Sequence, residues 1–107
     1  MTYYLVINTC PDQDVARHLA DTLVQERLAA CVNIVAGVES VYEWQGELHH
    51  DAECLLYIKT RADNYRALET RLRLLHPYEL PEIIAVPIAD GLAGYLNWIE
   101  QQTDNAQ

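Results

Sequence analysis

Basic side chains are scarce in this chain, with 7 Lys and Arg against 16 Asp and Glu and a net charge of −9. A phosphate-binding surface needs clustered Lys and Arg, so this balance repels polyanions and argues against nucleic acid as a partner. The same field draws cations weakly. Cysteine is sparse too. Cys10, Cys31 and Cys54 are odd in number, widely spaced and without a C-x-x-C pair. That pattern suits reduced thiols in the cytoplasm better than a secreted disulfide framework. No apolar run approaches the ~18 residues of a membrane span, so no membrane partner is expected. Met1-Thr2-Tyr3-Tyr4-Leu5 has no basic region ahead of its apolar stretch, and no signal peptide is expected. Also missing are G-x-S-x-G, a Walker loop, H-E-x-x-H and a Gly-rich anion loop before the first helix. The chain is therefore expected not to be an enzyme.

What is present makes one folded domain. The 107 residues are half apolar, enough for a core without staples. The domain is expected over 1–103, followed by a polar tail, 104–107. There is no repeat, linker or low-complexity segment.

Tyr3 to Ile7 read as a strand with apolar residues on both faces. Pro11 suits a first helical position, with Asp12 and Asp14 near the positive end of the dipole. Val15, Ala16, Leu19, Ala20, Leu23 and Val24 then form one stripe of a helix running to about Arg27. From Ala30 to Trp44 the chain is β-branched and aromatic, broken only by Gly37. At ~3.3 Å per residue such a strand reaches about 50 Å, beyond the ~34 Å diameter expected of a domain this size. It must bend, with a bulge at Gly37, or project. Gln45-Gly46-Glu47 reads as a turn, and Glu53 to Thr60 as the returning strand, with Cys54, Leu56 and Ile58 on one face.

Asp63 is a candidate N-cap for a second helix carrying Tyr65, Leu68, Leu72 and Leu75, which Pro77 ends. Ile83 to Ile88 form a last strand, in which Pro87 indicates an edge. A short terminal helix places Leu92, Tyr95, Leu96 and Ile99 on one side. The order predicts an α+β, ferredoxin-like split βαββαβ sandwich with an extra C-terminal helix and a long projecting central hairpin. Two helices cover only one sheet face. The other face, with Tyr42 and Trp44 on the hairpin, points to a second copy of the chain as its cover.

Several stretches resemble the CutA divalent-cation tolerance proteins. They are Glu26-Arg27-Leu28-Ala29-Ala30-Cys31-Val32-Asn33-Ile34, Ser40-x-Tyr42-x-Trp44-x-Gly46, Ile58-Lys59-Thr60, His76-Pro77-Tyr78-Glu79-x-Pro81-Glu82-Ile83 and Tyr95-Leu96-x-Trp98-Ile99. The similarity covers nearly the whole chain. It implies a homotrimer of ferredoxin-like subunits and a role in tolerance to copper and other divalent cations. Some members bind copper through a cysteine near the end of the first strand and paired histidines before the Pro-Tyr segment. Aligned on Pro11-Asp12, the cysteine position here holds Asn8, and the histidine pair is reduced to Leu75-His76. Only His76 carries over.

Three groups of residues are therefore candidates. His76, with Pro77, Tyr78 and Glu79, offers an imidazole and a carboxylate to a borderline cation, which needs three or four ligands. The plainer reading is a helix-terminal His engaged in hydrogen bonds. His49, Asp51 and Glu53 share one face of a strand beside His50 and form an alternative metal cluster, although polar residues at a hairpin tip are expected for solvation alone. Asn33, Lys59, Tyr78 and Glu82 interrupt apolar strands or flank prolines, and the resemblance puts them near an inter-subunit cleft. There Lys59 and Glu82 pair or cradle a small anion. Cys31 and Cys54 read as small core residues. Cys10 reads as a helix-start thiol with a lowered pKa, or as an N-cap position. No cofactor is obligatory; Cu(II) or another divalent cation is the expected ligand. The alternative is a trimeric regulatory or scaffold module that binds a small anionic ligand or a partner protein.

Overall fold

The computed structural model describes residues 1–104, so all of the expected tail beyond Asp104 lies outside the described residues. In chain order the elements are strand β1 (Tyr3–Cys10), helix α1 (Gln13–Gln25), strands β2 (Cys31–Trp44) and β3 (Glu47–Arg61), helix α2 (Tyr65–Leu75), strand β4 (Ile83–Pro87) and helix α3 (Ala93–Gln102). The strands form one antiparallel sheet in the order β2-β3-β1-β4. This is the ferredoxin-like α+β arrangement that the order of elements predicts.

β1 runs three residues beyond Ile7, because β3 continues to pair with it as far as Cys10 opposite Cys54. That corrects the start of α1. Cys10 ends the strand and Pro11 lies outside the helix. Asp12 is the N-cap, its Oδ1 accepting the Val15 N–H at 2.9 Å. At the other end Arg27 adopts φ 60, and the Leu28 N–H reaches back to the Leu23 carbonyl at 2.9 Å. This satisfies a terminal carbonyl with Arg where glycine is usual.

The long hairpin is real and projects. Gln45 (φ 52) and Gly46 (φ 82) make its two-residue turn, a loop whose twist suits antiparallel strands. The register shifts between Val35 and Val38, where Gly37 takes φ 80, so the expected bulge is present. The molecule measures 46 × 26 × 21 Å. β3 begins at Glu47, not Glu53, since the ladder to β2 overrides the weak strand propensity of Glu47 to Ala52. His49 and His50 therefore lie within a strand opposite Tyr42 and Val41, not at the tip.

Asp63 does not cap α2. It sits in a short 3-10 turn, Ala62–Asn64, where its carboxylate takes both forks of the Arg61 guanidinium at 2.9 and 2.6 Å. That pair is the better offer to a carboxylate than a backbone amide.

Val6, Leu56 and Ile58 on the sheet pack against Leu19 and Leu23 of α1 and Leu68 and Leu72 of α2, all fully buried. Each such side chain contributes roughly 1.5–3 kcal/mol of transfer energy. By strand alternation, Leu5, Ile7, Val35, Leu55, Tyr57, Ile84 and Val86 occupy the opposite face. α3 covers only one end of it, through Ile99 and Leu96 against Tyr3, Ala30 and Ile88. Of the four residues expected on the inner side of α3, Ile99 is buried and Leu96 half-buried, whereas Leu92 and Tyr95 are exposed.

Candidate functional site

At the end of β1 the chain after α2 folds back across the sheet, and His76 ties it down. The buried ring donates or accepts at two backbone groups: Nε2 lies 2.8 Å from the Thr9 carbonyl, and Nδ1 accepts the Tyr78 N–H at 3.1 Å. These partners require the neutral tautomer with hydrogen on Nε2. Neither nitrogen has a free lone pair while the bonds stand. Burial holds the His76 pKa below the ordinary histidine value, opposed by the Thr9 carbonyl and the Glu53 carboxylate. Glu79, its expected carboxylate neighbour, is exposed.

Tyr78 turns instead to the hairpin, where its hydroxyl donates to Glu53 at 2.6 Å. Burial and that carboxylate both raise the phenol's pKa. Further out on the same hairpin face, the Tyr42 hydroxyl donates to Asp51, which is the first cause of the raised Tyr42 pKa. The His49 ring stacks on Tyr42 with centroids 5.2 Å apart. His50 points the other way and meets Glu39 at 3.3 Å.

Between the hairpin and the 77–82 loop lies an open cleft of about 730 Å³. The hairpin wall supplies Ser40, Tyr42, Trp44, Asp51 and Glu53, and the loop supplies Tyr78, Glu79, Leu80 and Glu82. Four carboxylates line it and no Lys or Arg does. Among the described residues, no group of three or more His, Cys, Asp or Glu is arranged to hold a metal ion. One chain thus offers a cation charge and partial ligation, not a closed coordination sphere.

Within one chain, the four polar residues expected near the inter-subunit cleft stand in two places. Tyr78 and Glu82 line the cleft just described. Asn33 and Lys59 lie on the open sheet face, where Lys59 Nζ contacts Asn33 Oδ1 at 2.5 Å and sits 5.8 Å from the Tyr95 ring centroid. Within one chain Lys59 and Glu82 do not meet, and Glu82 gives its backbone carbonyl to Asn8 Nδ2 at 2.8 Å.

The cysteines also differ from expectation. Cys31 is half-buried on the open face, 4.0 Å from Lys59 Nζ, and is not a core residue. Cys54 is in the core as expected. Cys10 is fully buried, and burial, with the facing Cys54 thiol next, pushes its pKa up to about 11. At pH 8 a thiol of that pKa is thiolate in about one molecule per thousand. An aromatic disulfide reagent is therefore expected to leave Cys10 and Cys54 unmodified in the folded protein and to label them only in guanidinium. Rapid labelling of either without denaturant would contradict this packing.

Thr9, Ser40 and Leu80 are cleft residues that sequence patterns do not mark, because the cleft is assembled from segments far apart in the chain. Glu53 was visible only as a carboxylate in a cluster. Its place at the junction of the hairpin, Tyr78 and His76 comes from the tertiary packing.

Residues 4–102 match the family described as CutA1 divalent ion tolerance protein. The divalent-cation tolerance protein CutA of Thermus thermophilus is 50% identical over 99 residues, covering 92% of this chain and 96% of the relative. A chloroplastic CutA protein of Arabidopsis thaliana is 46% identical over 101 residues, which are 94% of this chain. This chain spans 56% of that longer relative. The crystal structure of CutA1 from Oryza sativa superposes with a TM-score of 0.96 at 42% identity, covering 99% of this chain and 97% of the rice chain.

Proposed function

Since this chain belongs to the CutA1 divalent ion tolerance family, we propose that it serves divalent-cation tolerance as a cytoplasmic, non-catalytic homotrimer. In this reading it binds Cu(II) or another divalent cation weakly, at sites shared between copies. The observation that carries the cation reading is the cleft with four carboxylates and no basic side chain on its walls. Sharing is supported by the incomplete ligand set of a single chain. Self-association is supported by the apolar sheet face that α3 leaves open.

Of the two imidazole sites considered from the sequence, His49 with Asp51 is the better supported. His76 has both nitrogens in backbone hydrogen bonds, whereas among the described residues the His49 ring is held by stacking on Tyr42 beside Asp51. Calorimetric titration of chelator-treated protein with Cu(II) tests this. The parent is expected to saturate, and the double variant His49→Ala, Asp51→Asn to lose about tenfold or more in affinity, the scale of one lost ligand set. Affinity should also fall with acid, because ligands bind in their deprotonated forms. A parent that shows no saturable heat with Cu(II) or Zn(II) would end the metal reading.

A second reading has one observation in its favour. The Lys59 ammonium, beside Asn33 and Tyr95, makes no ion pair with a carboxylate among the described residues. On a sheet face closed by neighbouring copies it would offer a positive charge to a small anionic ligand, and the trimer would act as a regulatory or scaffold module. Indifference to metals together with thermal stabilisation by an anionic metabolite would favour this reading.

A further inference from the structure

Cys10 and Cys54 are both buried in the core, and they stand opposite each other in the β1–β3 register. Opposed residues of an antiparallel pair send their side chains to the same face. Here that is the helix-covered face, not the sheet face proposed for self-association. The Ala62 N–H donates to the Thr2 carbonyl at 2.8 Å, and counting in twos from that pair makes Cys10 and Cys54 a hydrogen-bonded pair as well. Such a pair holds its Cα atoms about 5.5 Å apart, inside the roughly 4.4–6.8 Å that a disulfide spans. Its Cβ atoms stand about 5.5 Å apart, against roughly 3.5–4.5 Å in a disulfide. Closing the bond therefore draws the two strands together by about 1 Å at this point. Strain of that kind makes a disulfide easy to reduce again.

The residues next to the two thiols hold the 76–82 loop. Thr9, beside Cys10, offers its carbonyl 2.8 Å from His76 Nε2, and Glu53, beside Cys54, accepts from the Tyr78 hydroxyl at 2.6 Å. The Tyr78 N–H completes the fastening by donating to His76 Nδ1 at 3.1 Å. A shift of β1 against β3 at Cys10 and Cys54 is passed to both acceptors at once. The reduced Cys10 thiol makes only a long contact to the Asp12 carbonyl, at 3.7 Å, so little bonding is lost when its proton leaves.

We propose that Cys10 and Cys54 form a reversible redox pair, closed by a hydroperoxide, whose oxidation loosens the 76–82 loop from the sheet. One of the two sulfurs, as thiolate, attacks the peroxide, takes up one oxygen as sulfenic acid and expels hydroxide. The second thiol attacks that sulfur, the S–S bond forms, and water leaves with the second thiol's proton neutralising the hydroxide. Two thiols and one hydrogen peroxide thus give one disulfide and two waters. A dithiol reverses the step by exchange. An aromatic disulfide reagent has to fit an added group into the core, whereas hydrogen peroxide is little larger than water and the closed pair keeps no added group. Burial, which pushes the Cys10 pKa up to about 11, makes the step slow and leaves the pair reduced until peroxide is in excess.

Hydrogen peroxide is the probe, applied to the intact parent assembly, with a peptide map of the quenched protein. The map is expected to join Cys10 to Cys54 within one chain and to show the two thiols again after dithiothreitol. In the closed form the Tyr78 amide should exchange its hydrogen about tenfold faster than in the reduced form, and return to its first rate on reduction. Cys31→Ser removes the remaining thiol and should change neither result. A crosslink that runs through Cys31 would overturn the proposal. So would a parent in which Cys31 has gone on to sulfinic acid while Cys10 and Cys54 remain thiols. A Cys10–Cys54 bond that leaves Tyr78 exchange unchanged would show that the pair does not act on the loop, and the switch would be wrong.

Discussion

Ile84→Asp is expected to break the assembly down to monomers at micromolar concentration. Ile84 and its neighbour two residues on, Val86, are 50% and 44% exposed on one chain. They continue across the sheet into Ile7, Leu5, Tyr57, Leu55 and Val35. A monomer rarely leaves an apolar patch beyond a few hundred Å² open to water. A second copy of this chain is the proposed cover, and a carboxylate beneath it would have to be desolvated without a partner, at a cost of several kcal/mol. Light scattering on the variant reads the outcome directly. Leu74→Asp serves as the control, because Leu74 is 75% exposed on α2, on the side of the molecule away from this face. It should leave the mass unchanged. Trp44→Ala should weaken assembly less than Ile84→Asp, since Trp44 lies out on the hairpin. A parent protein of monomer mass at micromolar concentration would refute the self-association.

His76→Ala should destabilise the fold by about 3 kcal/mol. Removing the ring strands the buried Thr9 carbonyl and deprives the Tyr78 N–H of its acceptor, at about 1–3 kcal/mol per group left unsatisfied. It also opens a cavity where the ring meets Tyr78, centroids 4.8 Å apart. The effect depends on pH with a definite sign. Burial places the folded pKa of His76 below its unfolded value of about 6.5, so the unfolded chain binds a proton that the folded chain resists. The stabilisation by this residue is complete above that unfolded value and is lost as pH falls below it toward the folded pKa. Guanidinium unfolding of parent and variant should therefore differ more at pH 8 than at pH 5. An equal difference at both would show that His76 is not held neutral by its surroundings. If His76→Ala instead unfolded like the parent and lost Cu(II) binding, the residue would be a ligand and not a strut.

How much of this was legible in the sequence varied with the range of the interaction. α1 was readable from Val15, Leu19 and Leu23 because helical spacing is a local property. Gly37 and Gln45-Gly46 were readable because a bulge and a two-residue turn demand backbone angles that few residues tolerate. The errors were of two kinds. Competing local partners misled the reading of Asp63, which met Arg61, and of Pro11, where Asp12 took the cap. Long-range pairing misled the reading of Glu47 to Ala52, which is strand only because β2 lies beside it.

The sequence by itself determined the order of elements, the helix-covered face of the sheet, the projecting hairpin and the family. All of these follow from residue spacing, turn chemistry or extended similarity along the chain. Only the tertiary structure decided which polar residues meet. Within the chain it gave Lys59 to Asn33 and Tyr78 to Glu53, and closed both nitrogens of His76 with backbone groups from β1 and the following loop. A side chain's neighbours across a sheet depend on strand order and register, which fix distances between residues far apart in sequence. Spacing along the chain carries no record of those distances, so the chemistry of the cleft emerges only when the strands are in place.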